Sequence, residues 1–271
     1  MKIGQFFYEH PVFRFEEFAA WKTQKAKIQS NSVNTALRYY VKTGQIKQIR
    51  RELYAVVPPN QFPDTLPVDP YLIAGKVTKD AVLGYHTALE LLGVAYSTFS
   101  RFMYVTEQKS KSFEFQTQWF QSIAVPLALQ KKQKTYIGVD TINRQGILLR
   151  ITNPARTFVD TLARVELCGG WEEVCRCIEN FTVLNVEEVV EYCLMLENAR
   201  LNATVGYFLS QRKGGFVVEN NQLEPLLRAV PKIPQYASKK TKEKFELVKP
   251  WNILLPISVI HKTWEEPNAE F

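Results

Sequence analysis

The apolar and polar residues between positions 32 and 44 are spaced with the period of an amphipathic helix. Apolar side chains recur at the i, i+3, i+4, i+7 and i+8 positions, which share one helical face: Val33, Ala36, Leu37, Tyr40 and Val41. The positions between them carry polar or charged side chains: Ser32, Asn34, Thr35, Arg38, Tyr39 and Lys42. Gly44 follows, and glycine commonly ends a helix in the left-handed conformation. The pattern predicts a helix with one buried face and one cationic face.

A basic hairpin is predicted directly after this helix. Residues 46–50 and 53–57 have the composition of short strands, and the tight turn between them falls at Arg51-Glu52. Upstream, apolar residues predict the core face of a first helix: Val12, Phe13, Phe15, Phe18, Ala19 and Trp21. A helix, a glycine and a basic hairpin in this order are typical of a winged helix-turn-helix, so residues 1–60 are predicted to form one.

The rest of the chain predicts a mixed C-terminal region. Five prolines among residues 57–70 indicate an extended linker. Helices are expected at 70–77 and 81–93, the second capped by Asp80. A β-meander follows, with strands at 102–106, 112–116, 118–125, 136–139 and 146–151. Helices are then expected from Asn153-Pro154 onward and near 170–181, 185–196, 198–212 and 221–229, before a last strand at 245–256.

These elements predict an α+β fold in two domains. Residues 1–60 are the winged helix-turn-helix, and residues 61–271 are a C-terminal regulatory domain with a possible sub-boundary near residue 151. In the C-terminal domain a β-meander flanked by helices precedes a helical segment. Arg156 and Asp160 stand one helical turn apart and are interpreted as a surface ion pair.

Positive charge is concentrated in the first sixty residues. They contain ten Lys and Arg against four Glu, a net charge of +6, whereas the whole chain has a net charge of +7. A local excess of this kind attracts polyanions and accelerates encounter with them. The alternative is a solvated basic face that has no partner.

The polar face of the predicted helix suits the major groove of duplex DNA. Asn34 can bond adenine, Arg38 can bond guanine, and Thr35 can touch a thymine methyl group. Lys42 and Tyr39 can reach phosphates. Arg50 and Arg51 at the tip of the hairpin are placed to enter a minor groove or to clamp the flanking backbone. The predicted DNA-contacting residues are Ser32, Asn34, Thr35, Arg38, Tyr39, Lys42, Lys47, Arg50 and Arg51.

With these residues in view, the chain resembles the AbiEi family of type IV antitoxin regulators. The resemblance is carried, in order, by residues 39–46, 49–56, 71–76, 84–96, 104–106, 153–160 and 251–256. It implies a cytoplasmic regulator encoded beside a nucleotidyltransferase-like toxin. The winged helix would bind repeats in its own promoter and repress the operon, and the C-terminal part would supply the antitoxin activity and support cooperative DNA binding. By position, the DNA-facing residues would be Asn34, Thr35, Arg38, Lys47, Arg50 and Arg51.

Glu52 departs from the family pattern, which has glycine in the hairpin turn. A residue other than glycine in the left-handed conformation costs about 1 kcal/mol or more, so a different turn type is expected at this tip. The Glu52 carboxylate also places negative charge beside Arg50 and Arg51, which should weaken their contact with phosphate.

Catalytic and metal chemistry have weaker signals. His10, His86 and His261 are far apart in the sequence, and His86 is expected to be a hydrogen-bonded structural histidine. A Mg²⁺-dependent nuclease could use Asp80 with the Glu107-Gln108-Lys109 triplet, but such triplets arise readily by chance. We therefore expect that the protein is not an enzyme and that it needs no cofactor.

The four cysteines have the spacing of neither a zinc knuckle nor a disulfide framework. Cys168, Cys175, Cys177 and Cys193 are expected to be reduced thiols, mostly in the core, and no metal site is expected.

The expected location is the cytoplasm, without contact with a membrane. No stretch approaches the roughly 20 apolar residues of a transmembrane helix, and Glu9 and His10 interrupt the apolar run at the N-terminus too early for a secretion signal.

The sequence thus predicts a repressor of its own operon that opposes a nucleotidyltransferase-like toxin. Its partner is double-stranded DNA, and direct contact with the toxin is left open. The alternative is a stand-alone winged-helix regulator, without a toxin, whose C-terminal domain binds a ligand or a partner.

Overall fold

The computed structural model describes residues 3–23, 30–212, 214–239 and 242–265. It has an α+β fold, as predicted. The chain forms two compact units: the first contains the residues up to 83 together with 100–123 and 141–150, and the second contains 84–99, 124–140 and the residues from 151 onward. The predicted boundary at residue 60 stays a prediction. Among the described residues, no helix combines the length and apolar content needed to cross a membrane.

The first unit begins with three helices and a small antiparallel sheet. Their bounds are α1 (Ile3–Glu9), β1 (Val12–Arg14), α2 (Phe15–Thr23), α3 (Ser30–Lys42), β2 (Ile46–Arg50) and β3 (Leu53–Val56). The order of strands in the sheet is β1-β3-β2. The basic helix and both hairpin strands are therefore confirmed, and Gly44 takes the left-handed conformation (φ 71°).

The prediction for the first helix was partly wrong. Val12 and Phe13 lie in strand β1 and pair with Ala55 and Tyr54 of β3. The helical period of apolar residues continued through these two positions and predicted a helix. In the structure they pair with β3 as a third strand, because this pairing satisfies the backbone hydrogen-bonding groups of both segments. Helix α1 was not predicted.

An aromatic core holds this part of the first unit together. Phe6 packs edge-on against Phe13 and Phe18, with ring centres 5.2 and 5.4 Å apart. Val33 and Leu37 of α3 join the same core, each 2% exposed. Val41, predicted to belong to the buried stripe, is 39% exposed, because the stripe leaves the core before the helix ends.

A six-stranded sheet follows in the chain. The bounds of the next elements are α4 (Pro70–Lys76), β4 (Val82–Leu83), α5 (His86–Leu91), β5 (Arg101–Thr106), β6 (Phe113–Phe115), β7 (Gln118–Ala124), α6 (Leu127–Lys131), β8 (Val139–Arg144) and β9 (Ile147–Thr152). The strand order is β6-β7-β5-β4-β9-β8. Helix α4 and strands β5, β6, β7 and β9 were predicted and are confirmed.

Two predictions in this region were wrong. The expected helix over 81–93 is replaced by strand β4 and the shorter helix α5, and Asp80 caps no helix. Its carboxylate instead accepts hydrogen bonds from the Thr106 hydroxyl and the Glu107 N–H group, both at 2.7 Å. The strand expected at 136–139 begins only at Val139, because residues 134–137 form a hydrogen-bonded turn.

The second unit is mainly helical. The remaining elements are α7 (Pro154–Ala163), α8 (Trp171–Glu179), α9 (Val186–Met195), α10 (Ala199–Ser210), α11 (Asn220–Arg228), β10 (Gln235–Tyr236), β11 (Phe245–Val248), β12 (Ile253–Pro256) and α12 (Ile257–His261). All the predicted helices are present. In the small sheet β12 is central, parallel to β10 and antiparallel to β11.

The single strand predicted over 245–256 was wrong in one respect. A 3₁₀ turn at Lys249–Trp251 divides it into β11 and β12. Pro250 fixes its own φ, and Asn252 takes the left-handed conformation (φ 51°), so the chain reverses and the two halves pair with each other.

Arg156 and Asp160 form a buried ion pair, which corrects the prediction of a surface pair. Their side chains are 1% and 3% exposed, and Arg156 Nε lies 3.2 Å from the Asp160 carboxylate. Arg156 also donates to the carbonyls of Thr135 and Ile137, and Asp160 accepts a hydrogen bond from the Tyr192 hydroxyl at 2.7 Å. Spacing along the helix showed that the two residues share a face, but it did not show that every side of α7 is covered.

Replacing Asp160 should be strongly destabilising. In Asp160→Asn the Arg156 guanidinium stays buried without its counter-charge, and removal of one partner of a buried pair costs about 3–5 kcal/mol. The measurement is the free energy of unfolding in urea. Glu224→Gln is the matched control, since it breaks the Glu224–Arg228 pair, which has the same i, i+4 spacing but is exposed, and should change stability by about 0.5 kcal/mol at most. Equal losses in the two variants would contradict the assignment.

Candidate nucleic-acid interface

The polar face of α3 is turned to solvent. Because Val33 and Leu37 occupy the core, Asn34 and Arg38 point away from it and are exposed. The other members of the predicted set on this helix are also exposed: Ser32, Thr35, Tyr39 and Lys42. Among the described residues, neither Arg38 nor Lys42 forms an ion pair. Their charges are therefore available to an anionic partner.

Lys22 extends the positive charge at the start of this face. Its ammonium donates to the Ser32 carbonyl at 2.7 Å and to the Ser32 hydroxyl at 3.2 Å. Lys22 was not predicted to belong to this face, because ten residues separate it from Ser32 and no local pattern connects the two. Of the basic residues counted in the first sixty, Lys2, Lys25 and Lys27 lie outside the described residues.

The cationic residues of the hairpin have different environments. Arg51 is 91% exposed. The Arg50 guanidinium lies 4.7 Å from the centre of the Phe113 ring, and the Lys47 ammonium lies 5.4 Å from that of Phe115. These are cation–π distances. Arg51 therefore projects into solvent, whereas Lys47 and Arg50 also hold β2 against the segment that contains β6.

Glu52 keeps the left-handed conformation at the hairpin turn, with φ 63°. The expectation of a different turn type was wrong. The Glu52 carbonyl accepts a hydrogen bond from the Phe15 N–H group at 2.9 Å, which holds the turn in place despite its steric cost. The Glu52 carboxylate lies 3.6 Å from Arg51 Nε, so it partly neutralises the most exposed cation of the hairpin.

The candidate nuclease residues are only partly brought together. Asp80 is occupied by Thr106 and Glu107, as described above. Burial alone would raise the pKa of Asp80, but the hydrogen bonds that its carboxylate accepts outweigh this effect and lower the pKa overall. The side chains of Glu107 and Lys109 are exposed. Asp80 thus anchors the chain where β5 ends, and nuclease activity stays untested.

His86 occupies a buried network in the second unit. Its side chain is fully buried, with Nε2 3.1 Å from Glu173 Oε1 and Nδ1 3.3 Å from Glu90 Oε1. Its ring stacks on Phe99 with ring centres 3.5 Å apart. This agrees with the prediction of a structural histidine, although its carboxylate partners could not be identified from the sequence.

Glu173 is the hub of this network. Its carboxylate accepts hydrogen bonds from the N–H and hydroxyl groups of Ser97 (2.9 and 2.8 Å) and from the Cys177 thiol (3.3 Å). The ligand atoms of His86, Glu173 and Cys177 lie within 4.8 Å of one another, so this trio could hold a metal ion. Burial raises the pKa of Cys177 to about 12, so in the absence of a metal ion the sulfur is a protonated thiol, and a bound ion would have to displace this proton.

All four cysteines are free and buried, as expected. Described residues of the second unit also line two cavities. The larger, about 630 Å³, is lined by apolar residues such as Phe208 and Val259 and by the charged side chains of Arg212 and Lys262. The smaller, about 260 Å³, has Arg156 in its wall together with Asn153, Glu188, Glu191 and Tyr192. A small ligand could enter either.

The contribution of Glu173 to stability should depend on pH. Burial alone would raise its pKa, but the hydrogen bonds from Ser97, His86 and Cys177 lower it below the ordinary value of 4.5. A carboxylate with a lowered pKa in the folded state stabilises fully above the pKa of the unfolded chain, and this stabilisation disappears as the pH falls through the folded pKa. The difference in unfolding free energy between the wild type and Glu173→Gln should therefore shrink below about pH 4.5. A difference that stays constant with pH would rule this out.

Two substitutions at Glu52 should separate backbone strain from charge. Glu52→Gly removes both, so it should raise the melting temperature slightly, because about 1 kcal/mol of left-handed strain is relieved, and should also strengthen the contact with DNA that the sequence predicts. Glu52→Gln removes only the charge, so it should strengthen binding without this rise in stability. Thermal melts and DNA titrations of both variants are the measurements. Equal stabilisation by Glu52→Gln and Glu52→Gly would show that backbone strain at this turn is not what Glu52→Gly relieves.

Comparison with known proteins adds information on the fold. No protein-family model and no curated protein matches the chain. Among solved structures, it is similar to the crystal structure of the RV2827C protein from Mycobacterium tuberculosis, with a TM-score of 0.60 and 12% sequence identity. The alignment covers 94% of this chain and 90% of that one. At this identity the similarity concerns the fold alone.

Proposed function

We propose that this protein is a DNA-binding transcriptional regulator whose first sixty residues form a winged helix-turn-helix. The observation that carries the proposal is the exposed face of α3, where Asn34 and Arg38 point to solvent while the opposite face fills the aromatic core. The element order α1-β1-α2-α3-β2-β3, with a three-stranded antiparallel sheet, supports it. The segment that joins α2 to α3 includes residues 24–29, outside the described part of the chain.

In this proposal α3 lies in the major groove. Asn34 and Arg38 contact base edges, because amide and guanidinium groups can form paired hydrogen bonds with adenine and guanine. Lys42 and Tyr39 contact phosphates and set the orientation of the helix. Arg51, at the tip of the hairpin, reaches the flanking backbone or the adjacent minor groove.

The resemblance to AbiEi regulators supports a more specific proposal. The protein would be a cytoplasmic repressor of its own operon and the antitoxin of a nucleotidyltransferase-like toxin. One of the resembling segments, residues 153–160, contains the helix cap Asn153 and the buried pair Arg156–Asp160. That segment therefore bears on the fold of the second unit and not on contact with DNA.

The alternative is a stand-alone regulator that responds to a ligand. The two cavities of the second unit favour it, because each is enclosed partly by charged side chains that could orient a small polar molecule. In this case the gene would have no neighbouring nucleotidyltransferase.

DNA binding should depend on the exposed cations of α3. The full-length protein should bind a labelled duplex from the region upstream of its own reading frame, with an affinity that falls steeply as salt rises. Arg38→Ala should weaken binding by about 1–3 kcal/mol, roughly 5- to 150-fold, and the addition of Lys42→Ala should weaken it further. Fluorescence anisotropy gives both affinities.

The control for the double variant Arg38→Ala/Lys42→Ala is a second double variant, Lys131→Ala/Lys134→Ala. It also removes two exposed positive charges, but both lie in the second unit. Wild-type affinity is expected for the control. If Arg38→Ala with Lys42→Ala also binds as the wild type does, α3 is not the DNA-contacting helix.

Antitoxin activity should be visible in growth. If a nucleotidyltransferase gene lies beside this one, its expression should arrest growth, and co-expression of this chain should restore it. Asp160→Asn should lose the rescue through loss of folded protein, whereas Glu224→Gln should keep it. The absence of such a neighbouring gene, or arrest that this chain does not relieve, favours the stand-alone regulator.

A further inference from the structure

The loop of residues 107–112, between β5 and β6, is anchored to the first unit by hydrogen bonds at its beginning and its middle. Asp80 holds its beginning through the Glu107 N–H group (2.7 Å). Its middle is held at Ser110, whose hydroxyl lies 2.7 Å from the Tyr104 hydroxyl and whose carbonyl accepts a hydrogen bond from Ser122 (2.6 Å). Since loops with few anchors are the mobile ones, these contacts indicate a preorganised segment.

Two lysines of this loop are exposed. Ser110 is turned inward to Tyr104, and Lys109 and Lys111 on either side of it are both exposed. Within the described part of the chain, neither lysine forms an ion pair. The loop therefore presents two ammonium groups to solvent from a hydrogen-bonded backbone.

The loop adjoins the basic hairpin. Arg50 donates a hydrogen bond to the Lys111 carbonyl at 3.4 Å, and its guanidinium covers the ring of Phe113, two residues further along. Lys47 lies over Phe115 in the same way. These contacts join β2 to residues 111–115, so Lys111 lies next to the cationic side of the hairpin although 61 residues separate it from Arg50.

The combined surface carries more positive than negative charge. Five cations belong to it: Lys47, Arg50, Arg51, Lys109 and Lys111. Three acidic residues are interspersed: Glu52, Glu107 and Glu114. Lysine side chains are long and flexible, so the two ammonium groups of the loop can reach an anion away from these carboxylates.

We propose that Lys109 and Lys111 form a second contact with duplex DNA, to backbone phosphates beside those reached by the hairpin. This inference rests on the proposed DNA-binding function. In this proposal the Glu107-Gln108-Lys109 segment contributes to DNA binding. Lys109 contacts a phosphate, and Asp80 anchors the loop that carries it. An ammonium group contacts phosphate as a point charge and does not distinguish bases. The loop therefore adds affinity without adding sequence preference.

The experiment is a salt titration of DNA binding by full-length Lys109→Ala with Lys111→Ala. Two labelled duplexes are used, one from the region upstream of the protein's own reading frame and one of equal length and random sequence. Each lost phosphate contact should lower the slope of log affinity against log salt by about 0.9, so the variant should lose about 2 in slope. The loss should be equal on both duplexes, because it concerns the backbone alone.

Two further variants complete the design. Lys109→Arg with Lys111→Arg keeps both charges and should restore the wild-type slope. Lys131→Ala with Lys134→Ala removes the same charge from the second unit and should leave the slope unchanged. The inference is overturned if the double variant Lys109→Ala/Lys111→Ala keeps the wild-type slope. It is also overturned if the second-unit control loses as much slope as this variant does.

The failure of this inference can be told apart from failure of the proposed function. If Arg38→Ala with Lys42→Ala weakens binding and the loop variant does not, only the loop contact is wrong. If the wild-type protein binds neither duplex, the DNA-binding function and the loop contact are both wrong.

Discussion

The packing of α3 against the aromatic core is the constraint on which the candidate interface depends. Burial of one large apolar side chain contributes about 1.5–3 kcal/mol, and Val33 and Leu37 are both buried beside Phe6, Phe13 and Phe18. A rotation of α3 about its axis would expose these two side chains and bring Arg38 toward an apolar core, where an unpaired charge is very unfavourable. The core thereby determines that Asn34 and Arg38 face solvent.

The hairpin depends on a second kind of interaction. Lys47 and Arg50 lie over Phe115 and Phe113, so the same cations that give the hairpin its charge also attach it to the strand β6. In its three-stranded sheet β2 is an edge strand, paired with β3 alone. This attachment adds a rigid support and places the loop of residues 107–112 beside it. Arg51 has no such aromatic partner among the described residues, and its exposed guanidinium is open to a ligand in solvent.

The second unit uses buried polar networks. Asp160 links Arg156 on its own helix to Tyr192 on α9, and Glu173 links His86 to Ser97 and Cys177. Buried polar groups are costly unless every partner is present, so these side chains can be arranged in few ways. Residue types that often serve catalysis are engaged here in hydrogen bonds with one another.

Local pattern by itself determined the α+β class, the amphipathic helix, the basic hairpin and the helices α7 to α11 of the second unit, because hydrophobic period and turn residues act over a few positions. The tertiary structure decided which periodic segments became strands, as at Val12 and Phe13, where pairing with β3 outweighed the local preference. It also decided that the Arg156–Asp160 pair is buried and that Lys111 lies beside Arg50. These features arise from contacts between residues distant in sequence, and spacing along one segment carries no information about what packs against it.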